Sequence, residues 1–426
     1  MRLVVKSIFI LALSKLSSLS YADQFHYANV LLGDRAMGLG GAFTAVADDA
    51  SGLVYNPAGL AFSLSNDISG SANAFYQKKV TYKETIGKED FVENSAGSLA
   101  PFFGGLQKVD SMIPGVAVAF GLFSRDSELK DQDDNISDLS LGIRRFHRTV
   151  NIRASTGGFG IALAKRLISS LSMGVSFTWL TVDELTQEYQ DAKTASSSGV
   201  VEQLLTQNIR QRLTAAALEI GFGLQYSLTP RISIGLNLKV PTMISQSFEN
   251  GRETTTIKTS NSYNTGSNTV MRVINDQQKE ENPLGTWPSE YRFGVAWFIS
   301  TSLLWTADYV SFSEAKGDLS VYEREAVQNF ATGLEYYITP PMPLRIGYFT
   351  NNDARAEVDE KKANQQDHID YKGFSLFIAW VQPNSQVAIG GIRQVGEGKA
   401  QKLGGYTVQK VEAEATTFAL SATHNF

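Results

Sequence analysis

Few side chains in this 426-residue sequence could carry out chemistry. There are four histidines, His26, His147, His368 and His424, and no cysteine. The missing cysteine removes thiol catalysis, disulfide scaffolds, Cys-ligated zinc, iron–sulfur clusters and acylated-Cys lipoprotein anchoring. His368 lies between Asp367 and Asp370, and an Asp–His pair on loops could serve a hydrolase. No nucleophile or orienting partner accompanies it in sequence, and no metal-ligand spacing occurs. Neither an enzyme nor a cofactor or metal is expected. Arg144, Arg145, His147, Arg148 and Arg153 form a basic cluster. Guanidinium groups pair bidentately with phosphates and carboxylates, so Arg144, Arg145 and Arg148 are candidate anion ligands. The plainer reading is a solvated loop neutralised by Asp131, Asp133 and Asp134.

The elements that must position these groups are strands. Leu218, Ile220, Phe222, Leu224, Tyr226 and Leu228 alternate with Glu219, Gly221, Gly223, Gln225 and Ser227. After Thr229-Pro230-Arg231 the alternation resumes from Ile232 to Val240. That period belongs to a sheet with one apolar and one polar face. It recurs at Leu171–Trp179, Tyr291–Ile299, Phe330–Ile338, Phe374–Trp380 and Phe418–Phe426. Weaker versions occur at Ile68–Lys79, Ala96–Gln107, Val116–Phe123, Arg153–Lys165, Leu303–Tyr309, Leu344–Thr350 and Val387–Arg393. The expectation is fourteen strands.

Short turns alternate with long polar links, notably Ser124–Asn151, Asp191–Arg210, Phe248–Thr286 and Asn351–Ile369. Short turns at one rim and long loops at the other describe an all-β, transmembrane antiparallel barrel of the outer-membrane type. No stretch is long and apolar enough for a spanning helix. With 43% hydrophobic and 19% charged residues the chain is not a disordered one, and a formal charge of −5 argues against nucleic-acid binding. Trp179, Trp297, Trp305, Trp380, Tyr226, Tyr291, Tyr309 and Tyr336 sit at or beside strand ends, as interfacial girdles do. Within Thr194–Arg212, Val200, Val201, Leu204, Leu205 and Ile209 have helical spacing, which predicts an amphipathic loop helix. The alternating end from Phe418 to Phe426 resembles the signal read by the barrel assembly machinery. His424 falls on its outward side.

At the other end, Arg2 and Lys6, the apolar Ile8–Leu13 and the small residues of Ser20-Tyr21-Ala22 read as a secretory signal over residues 1–22. Leu32–Leu60 is rich in small residues and does not alternate. Asn56-Pro57 has helix-start chemistry, and Gly33, Gly38, Gly40, Gly41, Gly52 and Gly59 permit left-handed turns or close backbone approach. The spacing of these glycines is neither that of a P-loop nor of a dinucleotide fingerprint. A compact plug over residues 23–65, inside a barrel of residues 66–426, needs those properties.

Gly33-Asp34-Arg35-Ala36-Met37-Gly38, then Gly40-Gly41-Ala42-Phe43, Asp48-Asp49-Ala50 and Tyr55-Asn56-Pro57-Ala58-Gly59, resembles the N-terminal hatch of FadL/TodX-like outer-membrane transporters. The hatch motif is thus Gly38, Gly40, Gly41, Asn56, Pro57, Ala58 and Gly59. The resemblance implies a fourteen-stranded, monomeric barrel in the outer-membrane bilayer with its lipopolysaccharide. It also implies passive uptake of long-chain fatty acids or similar hydrophobic compounds, with lateral release through a distorted third strand, here Val116–Phe123. The same hatch motif occurs in PorV-like adaptors, so a barrel that binds a protein partner is the alternative. An open general pore is a third reading, against which the plug argues. Glu219 with Lys239, Arg292 with Asp308, and Glu335 are expected inside the lumen, either as a lattice holding the hatch or guiding a carboxylate, or as ion pairs that merely solvate the interior. A ligand site needs an apolar cleft with a fixed cation or donor. Phe123, Phe159, Ile161, Leu163, Phe298 and Phe377 are the apolar candidates, and Arg292 the cation.

Overall fold

The computed structural model describes residues 24–86, 89–109, 113–138, 143–195, 201–262, 266–402 and 406–426. At 73–75, 98–100, 136–138, 143–144, 194–195, 201–203, 258–262 and 266–270, and at residue 86, it describes the backbone alone. The expected signal segment therefore lies outside the described residues, as do Asp23 and the side chain of Arg144.

Fifteen strands form in chain order: β1 Asp67–Ile86, β2 Glu89–Lys108, β3 Val116–Asp138, β4 Ile143–Ile168, β5 Leu171–Ala195, β6 Val201–Thr229, β7 Ile232–Ser262, β8 Gly266–Glu280, β9 Glu290–Phe298, β10 Leu303–Phe312, β11 Val327–Thr339, β12 Met342–Asn351, β13 His368–Gln382, β14 Ser385–Ala400 and β15 Gln409–Asn425. Every neighbouring pair is antiparallel, and β1 pairs with β15, so the sheet closes on itself. Fourteen strands make the ring. β8 stands outside it, laddered only to the upper part of β7 from Phe248 to Ser262, while the lower part of β7 pairs with β9.

Each of the fourteen alternating segments becomes the foot of one ring strand, between the short turns and the apolar band. Leu224, Phe222, Phe293, Leu334, Phe374, Leu376, Phe418 and Leu420 all point outward and are exposed. A continuous outward apolar band of this kind suits a bilayer and not water. Tyr226, Tyr291, Tyr309, Tyr336, Trp297 and Trp380 are exposed on the same face, with Trp179 and Trp305 partly so. His424 points outward and stacks on Phe426.

The strands then continue far beyond the band. β5 has 25 residues, about 80 Å at ~3.3 Å per residue, whereas ~10 residues cross a bilayer. Most of what reads as long polar links is ladder. β3 and β4 pair out to Asp138↔Ile143, and β5 and β6 out to Ala195↔Glu202. Among the described residues the expected loop helix within Thr194–Arg212 is not formed; 194–195 and 201–212 belong to the strands β5 and β6. There β5 and β6 pair with each other and, on their outer edges, with β4 and β7, so the backbone groups of both strands find partners, which a single short helix turn cannot offer. Asn351–Ile369 is the long link that remains mostly irregular.

Candidate functional site

The N-terminal segment lies within the ring and fixes what room is left. It contains two short helices, Asp34–Gly38 and Gly52–Tyr55, and a 3-10 helix, Pro57–Phe62. Asn56 caps the last of these, its Oδ1 accepting from Ala58 N at 3.1 Å. Its Nδ2 donates to Thr44 O (2.8 Å) inside the segment and Leu224 O (3.2 Å) on β6. Pro57 and Ala58 lie so close to β5 that a Cβ at Gly174 would meet them at 2.5–2.6 Å. Gly40 and Gly41 take left-handed backbone (φ 65° and 84°), and a Cβ at Gly347 of β12 would sit 2.2 Å from Gly40 N. Gly59 packs on Ala47 O, and Gly38 on the side chain of Arg345.

Ion pairs complete the seating. Glu335 on β11 accepts from Arg35 (2.9 Å) and from Arg345 on β12 (2.8 Å). Arg345 also reaches Asp34 at 3.1 Å. Asp34 in turn accepts from Ser421 (2.8 Å) and Gln386. On β10, Asp308 Oδ2 accepts from Phe43 N, Thr44 N and Thr44 Oγ1 at 3.1, 3.0 and 2.6 Å. Asp308 thus holds the segment and does not pair with Arg292. Arg345 faces Glu335 directly across the β11–β12 ladder, whereas Asp34 and Arg35 escape a reading based on facing strand positions, because docking of the segment brings their partners to them.

Beside the segment, toward the long-strand rim, lies a cavity that is partly open to solvent. Its apolar lining includes Leu31, Leu32, Val54, Val310, Phe312 and Phe349, and its charged lining Arg125, Asp126, Glu219, Lys239, Glu290 and Arg292. Arg125 chelates Glu219 at 2.5 and 3.0 Å. Lys239 pairs with Glu290 at 3.0 Å, and Arg292 also binds Glu290 while stacking on the Tyr55 ring. Glu219 is two rungs from Lys239 on paired strands but takes its partner from β3. Arg125 and Asp126 were hidden in a presumed loop, although Arg125 continues the inward alternation of Phe123.

Of the apolar candidates, Phe123 is buried at the inner wall, its ring under Arg125. Phe377 is buried against Met37, Ala42 and Phe349, beneath the segment. Phe298 is 38% exposed at the short-turn rim. Phe159, Ile161 and Leu163 face the opposite way to that expected: they are outward and about half exposed. On β4 both faces are apolar, and the inward positions, Gly160, Ala162 and Ala164, are small because the segment packs there. The described members of the basic cluster lie on β4, and Arg145, His147 and Arg148 have acidic neighbours, Asp133 and Asp134 of the plainer reading among them. Arg148 is buried and bound to Glu188 at 2.7 Å, with Glu93 and Asp134 at 3.6 Å. Arg145 pairs with Asp191, and His147 with Asp133 at 2.9 Å. His368 sits 3.7 Å from Asp370, and its Nδ1 lies 2.8 Å from Arg355 O.

The β2–β3 ladder is interrupted where the cavity lining reaches β3. β2 and β3 share seven rungs, Lys108↔Ala117 to Phe102↔Phe123. Above Phe102 and Phe123 no further rung joins the described residues, although β3 continues along β4 and β2 along β1. Pro101, without an N–H, occupies the first position past the last rung, and β3 has a bulge at Ser124/Asp126. Higher up, side chains replace the ladder. Gln132 Nε2 donates to Val92 O (2.9 Å), Gln132 Oε1 accepts from Asn94 N (3.3 Å), and Lys130 pairs with Glu93 at 2.8 Å. The result is a seam with two phenylalanines as sill and a polar clasp as lintel.

No family profile and no curated protein matches the chain. Solved structures do. The crystal structure of a Pseudomonas aeruginosa FadL homologue aligns over 94% of this chain and 100% of its own, with a TM-score of 0.62 at 12% identity. The P. putida toluene transporter TodX aligns over 93% and 98%, at 0.57 and 13%. The Ralstonia pickettii toluene transporter TbuX aligns over 93% and 98%, at 0.57 and 12%. The fold of this chain is therefore that of the FadL/TodX-like barrels along nearly its whole length.

Proposed function

We propose that the chain is a passive outer-membrane carrier of small hydrophobic compounds. Residues 24–65 are the plug that closes the lumen to polar solutes. Ligand is held in the cavity beside the plug and leaves sideways into the bilayer through the β2–β3 seam. The observation that carries this reading is one juxtaposition: the cavity is lined by Arg125 and Asp126, the residues beside the β3 bulge where the wall loses its rungs. Long-chain fatty acids are the substrates that the sequence resemblance implies. The toluene transporters of like fold extend the candidates to hydrocarbons.

An adaptor barrel would be served by an unbroken wall. The interrupted β2–β3 ladder speaks for carriage, while the exposed Met271, Val273 and Ile274 on β8 are what a protein partner could use. Titrating detergent-purified protein with labelled oleate and, separately, labelled toluene decides between the two. Saturable binding of either, near one per barrel and above the empty-micelle background, is the expected result. No saturable binding of either, with partner capture through the β7–β8 hairpin, would establish the adaptor.

A further inference from the structure

The charges around the cavity are arranged for each other and not for a ligand. Its described lining carries three cations, Arg125, Lys239 and Arg292, and three carboxylates, Asp126, Glu219 and Glu290. Both glutamates are engaged: Glu219 by a two-pronged Arg125, Glu290 by Lys239 and Arg292 together. Glu219, Lys239 and Glu290 are each at least 94% buried. A further cation nearby, Arg324, is 1% exposed. It donates to Gln24 Oε1 at 3.1 Å and stacks on Trp287, and it is Gln24 and Trp287 that face the cavity.

From this balance we infer that the cavity selects an uncharged apolar molecule, a hydrocarbon or long-chain alcohol, against the carboxylate of the same length. The inference rests on the carrier reading above and narrows its substrate class. An incoming carboxylate has two courses. It can lie beside the existing pairs, where Asp126, Glu219 and Glu290 supply as much negative charge as the cations supply positive, and lose its hydration without a counter-ion. Or it can take Arg125 from Glu219, which strands a buried glutamate and recovers only what the old pair lost. A neutral chain avoids both costs. It needs only the apolar wall of Leu31, Val54, Val310, Phe312 and Phe349, whose contact is favourable in proportion to the area covered.

The deciding pair of ligands differs in the head group alone. Labelled 1-dodecanol is bound to detergent-purified protein at pH 8, and unlabelled 1-dodecanol or dodecanoate is added as competitor, with free concentrations corrected against empty micelles. Dodecanol should compete at a concentration at least about tenfold lower than dodecanoate, the least that an uncompensated buried charge should impose. Glu219→Gln removes one carboxylate and frees Arg125, so it should narrow or reverse that ratio. Equal or better competition by dodecanoate at the wild-type protein would overturn the inference and leave hydrophobic carriage standing. Saturable binding of neither ligand removes the carrier reading and the inference with it. If Glu219→Gln does not fold to a heat-modifiable barrel, the wild-type ratio still decides.

Discussion

Glu335 stands between two guanidinium groups, and all three charges are removed from water by the docked N-terminal segment. Arg345 and Glu335 are each 2% exposed, and Arg35 belongs to the segment itself. Breaking such a group from the middle leaves two buried cations facing each other, which costs about 3–5 kcal/mol in comparable buried pairs. Glu335→Ala is therefore expected to unseat the plug while the barrel stays closed, since no ladder rung depends on that side chain. Bilayer recordings should show added open bursts, and the N-terminal segment should become sensitive to protease, at unchanged gel mobility of the folded barrel. Asp49 sets a pH dependence on the same seating. Burial, with the Asp48 and Asp34 carboxylates adding to it, pushes its carboxyl from 3.8 up to about 6 against the opposing bonds from Ser51. The folded state thus binds that proton more tightly than the unfolded state, so its contribution is greatest at low pH and declines as pH rises from about 4 through about 6. Protease resistance of the seated plug should fall across that window, and Asp49→Asn should flatten the fall. At this scale the sequence was only partly readable. The plug glycines and Asn56 were marked by type, but the inward face of β4 was not, because small residues there leave the large ones outward and hydrophobicity alone does not distinguish the two.

Strand feet and strand overhangs obey different rules. A foot has lipid on one side and the lumen on the other, so its side chains alternate, and all fourteen were located from period two, although on β4 the face was misassigned. An overhang has water on its outer side and polar lumen within. Residues such as those of β8, exposed at every position from Met271 to Lys279, need no alternation and look like loop. The helical spacing in Thr194–Arg212 misled for the same reason. Ring closure depends only on the feet: β7 meets β9 from Ile232↔Trp297 to Lys239↔Glu290. Replacing residues 252–278 by a short turn should accordingly leave a barrel with the usual heat-modifiable mobility, because Phe248, Leu284 and Tyr322 keep their cluster. Failure to refold would mean that the overhang nucleates the wall, contrary to this division of labour.

For the whole molecule, the proposed carriage rests on plug and seam together, and each makes its own forecast. Without residues 24–65 the ring keeps all fourteen strands but loses its filling, so conductance to polar solutes should rise in planar bilayers; an unchanged trace would mean that the overhangs close the lumen by themselves. The seam was half legible. The resemblance pointed to the third strand, but the clasp joins residues forty apart and becomes visible only in three dimensions. If ligand leaves through the seam, its passage requires β2 and β3 to part between the Phe102/Phe123 sill and the Gln132 clasp. The absence of native cysteine makes this testable with Glu93→Cys and Lys130→Cys in one chain, oxidised in the presence of a short dithiol spacer, since the native side chains at these two positions meet across the seam at 2.8 Å. Oxidation should leave binding in the cavity intact and slow transfer of ligand from protein to vesicle bilayer, with full recovery on reduction. Gln132→Ala should do the reverse and speed transfer, because the unlatched edges are free to spread. Equal transfer rates in the oxidised and reduced forms would place the way out past the plug, toward the short-turn rim, and the carrier would then be a through-channel with an interrupted wall that serves only its folding.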